Sequence, residues 1–107
     1  MNEIEEVRSH IIRRRKQLLI HSYLYYRMDS PIVSDEQWQY WADELVKLQA
    51  RVPGPVGFYD EEFSDWDAST GYHLPQDEYV ASKAMYILKL EEKKNEAIKN
   101  RSNAYSS

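Results

Sequence analysis

The sequence predicts an all-α domain: a helical hairpin plus a third helix, with an aromatic-rich cover loop between them. Three observations point there. Apolar residues recur at helical steps in two stretches separated by a turn signal, with no alternating strand pattern. A capping box stands at the start of the second stretch. All three Gly and three of the four Pro fall between positions 52 and 75, which confines the irregular chain to one segment.

The first helix is expected from Asn2, a cap with Glu5 three residues on. Ile4, Val7, Ile11, Leu18 and Tyr25 form its apolar stripe, widened by Ile12, Leu19, Tyr23 and Tyr26. Arg13 to Lys16 interrupt that stripe, and their stems are expected to cover apolar surface while the charges reach water. Asp29-Ser30-Pro31 ends the helix near Met28, because a proline disfavours helix in the residue before it. Ser34-Asp35-Glu36-Gln37 then caps a second helix, and its two acids suit the positive end of the helix dipole. Trp38, Trp41, Ala42, Leu45, Val46 and Leu48 carry this helix to about Arg51, where Pro53-Gly54-Pro55 stops it. So short a link makes the two helices antiparallel neighbours. Residues 52–75 hold Phe58, Tyr59, Phe63, Trp66 and Tyr72, too many rings for a loose loop, and they are expected to fold over the hairpin. The third helix runs from about Asp77 to the late nineties on Val80, Ala84, Ile87 and Leu88, within one domain spanning 1–99; 100–107 reads as a tail.

Composition narrows the functions available. A chain of 107 residues, 42% hydrophobic and 30% charged, has the size and polarity of one globular domain. Gln17–Tyr26 is uncharged but too short to span a bilayer, and no secretory h-region is visible, so the expected compartment is the cytoplasm. With no Cys, a disulfide framework, a thiolate zinc site and a cysteine nucleophile are all excluded. The net charge of -4 divides into +3 over 1–28, -10 over 29–78 and +3 over 79–107. Two basic helices flanking an acidic middle account for this. Contact of Arg8 and Arg13 to Lys16 with phosphates is the sharper alternative, opposed by the overall acidity.

Few constellations suggest chemistry. Asp65, Asp67 and Ser69 are spaced like the first ligands of a calcium loop, but Gly71 comes one place late and Gln76 closes where a bidentate Glu is needed. A solvated acidic loop is the favoured reading, and no metal site is expected. His10 and His21 are separated by three helical turns, too far to share a ligand. No phosphate-cradling glycine loop or nucleophile elbow occurs. There remains the run from His21 to Trp38. It sets Tyr25 and Tyr26 at the end of one helix and Asp35 at the start of the next. Aromatic rings beside a carboxylate suit a flat cationic ring such as nicotinamide. The plainer alternative is that the tyrosines close the hairpin and Asp35 caps.

Residues from about Arg14 to Leu48 resemble the N-terminal helical subdomain, Ia, of bacterial NAD+-dependent DNA ligases. That subdomain reads Tyr-x-Tyr-Tyr/His, Asp-x-Pro and Ser/Pro-Asp-x-Glu-Tyr-Asp; this chain has Tyr23-Leu24-Tyr25-Tyr26, Asp29-Ser30-Pro31 and Ser34-Asp35-Glu36-Gln37-Trp38-Gln39, at the same spacing. The resemblance implies a site for the nicotinamide mononucleotide half of NAD+, with Tyr25 and Tyr26 against the ring and Asp35 as the first acid. Trp38 stands where the family has Tyr, keeping an aromatic face, and Gln39 where it has a second Asp. The family's Lys-x-Asp-Gly adenylation motif is not in these residues, and its four-cysteine zinc module cannot form. Phe63 to Tyr72 resembles small bacteriophage proteins that are ligase-like only through this segment. The expectation is therefore a stand-alone, non-catalytic, phage-encoded relative of Ia with no catalytic residues, docking on a host or phage enzyme. The alternatives are a module that binds NAD+ or nicotinamide mononucleotide through Tyr25, Tyr26, Asp35 and Trp38, and an accessory piece of a split ligase.

Overall fold

In a computed structural model the backbone is described for residues 3–106 and the side chains for 3–99. The expected cap at Asn2 lies outside the described residues. Four helices follow in order: α1, Glu3–Tyr26; α2, Asp35–Arg51; α3, Asp60–Phe63; and α4, Glu78–Ser106. The described residues contain no strand, so the fold is all-α as expected.

The hairpin is antiparallel. Going up α1, Glu3, Arg15 and Ser22 bond to Arg51, Gln49 and Trp38, which lie progressively nearer the start of α2. Each boundary has a local cause. At the end of α1 the Ser30 N–H reaches back to the Leu24 carbonyl (2.9 Å), with Asp29 left-handed at φ 49°, and Pro31 follows. Ser34 caps α2, its hydroxyl accepting from the Gln37 N–H at 3.0 Å. Asp77 caps α4 in the same way through the Val80 N–H, also at 3.0 Å.

Ile11, Leu18, Leu19, Leu45 and Val80 are fully buried where the hairpin meets α4. Each contributes about 1.5–3 kcal/mol relative to exposure in water. The segment between α2 and α4 packs onto this core as expected, supplying Phe63, Ala68 and Leu74. It contains one helical turn, α3, which periodicity did not show. Val80 joins the core that takes α1 from Val7 to Leu19, whereas Ala84, Ile87 and Leu88 join a second cluster further along α1, around Ile20 and Leu24. Helix α4 thus runs in the same direction as α1 and passes its end.

Three expectations need correction. Arg15 does not reach water: it is 4% exposed and lies between α1, α2 and α3. Its guanidinium donates to Gln49 Oε1 (2.9 Å), the Phe58 carbonyl (2.7 Å) and Asp60 Oδ1 (2.8 Å), and stands 5.3 Å from the Phe63 ring centre. Segment 100–107 was expected to be a tail, yet α4 continues to Ser106, because no Pro or Gly follows Asp77 to stop it. Ile4 and Val46, assigned to apolar stripes, are exposed. The radius of gyration is 16.6 Å and the extents are 58 × 33 × 24 Å. A compact chain of this length would have a radius of about 13 Å.

Candidate functional site

The turn end of the hairpin holds a cleft of about 200 Å³. Its walls bring together all four residues singled out in the sequence: Tyr25 and Tyr26 from the last turn of α1, and Asp35 and Trp38 from the first turn of α2. Gln39, at the position where the ligase motif has a second Asp, lines it as well. The side chains come together because α1 ends and α2 begins on either side of one short turn.

Geometry separates the residues into available and committed groups. Tyr25 and Asp35 are exposed at the rim. Tyr25 meets Tyr26 edge-on, centroids 4.8 Å apart at 76°. The Tyr26 hydroxyl lies 3.1 Å from Thr70 Oγ1, and its ring is 5.4 Å from that of Tyr72. Trp38 is half-buried: its indole N–H donates to Ser22 Oγ at 3.1 Å, and its ring stands edge-on to Trp66 at 6.0 Å. Gly71 crosses close above this pair. A Cβ placed there would lie 2.2 Å from Ser22 Oγ and 3.0 Å from the Trp38 ring, so only glycine allows the approach. Gln39 donates from Nε2 to Asp43 Oδ1 (3.0 Å) and to the carbonyl of Ala68 (3.2 Å).

Several lining residues were not foreseen. His21 and Ser22 lie one turn before Tyr25 and Tyr26 on the same helix face, and that spacing could have shown them. His21 packs on Trp41 at 5.3 Å, and burial lowers its pKa, which keeps the ring neutral at pH 7. Its Nδ1 is buried with no hydrogen-bond partner among the described residues. A neutral ring with the lone pair on Nδ1 leaves no donor stranded there. Ser69 and Thr70 reach the cleft from the loop after α3. A non-periodic loop gives no signal for that.

The other candidates have different partners. Arg14 pairs with Glu44 at 3.1 Å, as does His10 at 2.8 Å, and Arg15 is committed to Asp60. Of the basic run, Arg8, Arg13 and Lys16 remain exposed. Asp67, in the acidic loop, is held below its ordinary pKa by the Ser69 hydroxyl first and then by the Ser69 N–H, which donates to Oδ1 at 3.0 Å within the turn. Among the described residues no group of three His, Asp or Glu side chains is placed to hold a metal, and no helix is long and apolar enough to cross a membrane.

The fold and site define a small all-α hairpin module with a small cleft lined by aromatic rings and carrying an acid at its rim. Half of the chain is similar to DNA ligases. It is 28% identical over 57 residues to the DNA ligase of Buchnera aphidicola subsp. Baizongia pistaciae, covering 53% of this chain and 8% of that protein. Over 49 residues it is 33% identical to the DNA ligase of Pseudothermotoga lettingae and 41% identical to that of Coprothermobacter proteolyticus, each covering 46% of this chain and 7% of the ligase. The matches are short and local, consistent with a ligase N-terminal subdomain. No family model and no solved structure matches the chain.

Proposed function

We propose that this protein is a non-catalytic binding module of ligase Ia type, whose cleft takes the nicotinamide half of a nucleotide. One observation supports this above the others: Tyr25, Tyr26, Asp35 and Trp38 line a single cleft. Its roughly 200 Å³ falls below the 300–1,000 Å³ typical of sites that engulf drug-sized ligands, so it suits one ring and part of a sugar. A cationic ring against Tyr25 gains from the π-face and from the Asp35 carboxylate. The rest of ligase chemistry is absent from the reading, because these 107 residues hold no Lys-x-Asp-Gly motif to accept an adenylate.

Binding should be weak. Gln39 replaces the family's second carboxylate, and a lost charged hydrogen bond costs about 1–3 kcal/mol. Calorimetry with nicotinamide mononucleotide is expected to give a dissociation constant between about 10 µM and 1 mM, roughly -7 to -4 kcal/mol. Asp35→Ala should abolish the heat while leaving the melting temperature nearly unchanged. Absence of heat at millimolar ligand would refute the proposal.

A second reading is an interaction module docking on a host or phage enzyme, including the adenylation domain of a split ligase. The exposed rings of Tyr25 and Tyr26 at the cleft rim, with that of Tyr72 against Tyr26, favour it, since tyrosine is a common interface anchor. Convergence of the four side chains is what puts the ligand first.

A further inference from the structure

We infer that Gln39 is a positioning residue: its side-chain amide fastens residues 68–70 of the loop across the cleft, making Ser69 and Thr70 its third wall. The chemistry follows from which groups can donate. The Ala68 carbonyl needs an N–H, and Gln39 Nε2 supplies it at 3.2 Å while also donating to Asp43 at 3.0 Å. A carboxylate at position 39 would offer no donor and would face Asp43 with like charge. The substitution that removes a charge from the cleft therefore also brings in a new wall. Four further contacts surround the fastened point. Thr70 meets the Tyr26 hydroxyl at 3.1 Å, its carbonyl accepts from Trp66 Nε1 at 2.9 Å, Trp66 stands edge-on to Trp38, and Gly71 lies buried against Ser22 and Trp38. In consequence the cleft that holds Tyr25 and Asp35 is also lined by Ser69 and Thr70.

The part of this inference that concerns ligand selection rests on the nicotinamide reading of the cleft; the fastening does not. Two variants separate the causes. Gln39→Glu removes the donor and adds charge, whereas Gln39→Met removes the donor alone. Backbone amide exchange at Gly71 and Tyr72 should become about fivefold faster in both, the effect of losing one hydrogen bond worth about 1 kcal/mol, with the amides of Leu18 and Leu45 unchanged. Unchanged exchange in Gln39→Met overturns the fastening. So does a response confined to Gln39→Glu, which would trace to repulsion from Asp43. Nicotinamide mononucleotide should bind Gln39→Met several-fold more weakly than the unmodified protein, although Tyr25 and Asp35 are intact. Equal affinities overturn the wall's part in selection. If the unmodified protein binds no nicotinamide mononucleotide, the ligand reading falls with its selection part, and amide exchange alone decides the fastening.

Discussion

Replacing Arg15 by methionine tests the packing at its least expected point. The methionine keeps the apolar stem length but removes a charge 4% exposed and three donated hydrogen bonds, to Gln49, Phe58 and Asp60. Removing one partner of a fully buried pair costs about 3–5 kcal/mol. Asp60 keeps a third of its side chain in contact with solvent and still accepts from the Val56 and Gly57 N–H groups at 2.8 and 2.9 Å, so water recovers part of the loss. The expected cost is about 2–4 kcal/mol at neutral pH, read as a shift in urea midpoint at unchanged slope. The pH dependence is also fixed. Burial by itself would raise the Asp60 pKa; the hydrogen bonds from Val56, Arg15 and Gly57, with the Arg15 charge, outweigh it and hold the pKa below its ordinary 3.8. A depressed pKa contributes stability above the unfolded value and loses it as pH falls through the folded one. The gap between the two proteins should therefore narrow on acidification below the ordinary value. A cost under about 1 kcal/mol at neutral pH, or a gap that ignores pH, would show that Arg15 acts through its stem alone.

Tyr59 donates to Asp77 Oδ2 at 2.6 Å, and burial, this bond and the Asp77 charge raise its pKa above the ordinary 10.0. Spectrophotometric titration should find one tyrosine ionising late; since its folded pKa is raised, its stabilising effect is present below pH 10 and lost at higher pH. In Asp77→Ala that tyrosine should move back toward its ordinary value, with stability falling by about 1–2 kcal/mol from the lost α4 cap. Trp41 is half-buried and packs on the core and on His21, so Trp41→Ala should cost about 2–3 kcal/mol by thermal unfolding, below the 3–5 of a fully enclosed aromatic. A melting temperature that hardly moves would remove Trp41 from the core.

The hairpin and its cleft were legible because their signals are local. Ser34 with Gln37, Asp29 before Pro31 and the Leu45–Leu48 stripe each act within a few residues, and the two walls of the cleft from Tyr25 and Asp35 lie ten residues apart across one turn. What stayed hidden depends on distant partners. Arg15 lies four residues after Ile11 and three before Leu18, squarely on the buried stripe, yet its position makes sense only once Asp60 is known to sit beside it. Ser69 and Thr70 reach the cleft through a loop whose path is set by Phe63, Gly71 and Leu74, contacts that no periodicity encodes. Gln39 reads from sequence as a missing carboxylate; its bond to the Ala68 carbonyl spans 29 residues and leaves no local signal. The length of α4 was underestimated for another reason. Apolar residues thin out after Leu90, but helix-forming Glu, Lys and Ala continue, and propensity alone extends the helix where burial does not.

The onward run of α4 past the hairpin also governs how the molecule behaves hydrodynamically. A body 58 Å long with a cross-section of 33 × 24 Å tumbles and diffuses more slowly than a sphere of the same mass. On a gel-filtration column calibrated with globular standards, a single copy would elute early and pass for a heavier species. Light scattering, which reads mass without assuming shape, is the measurement that distinguishes an elongated monomer from a compact dimer.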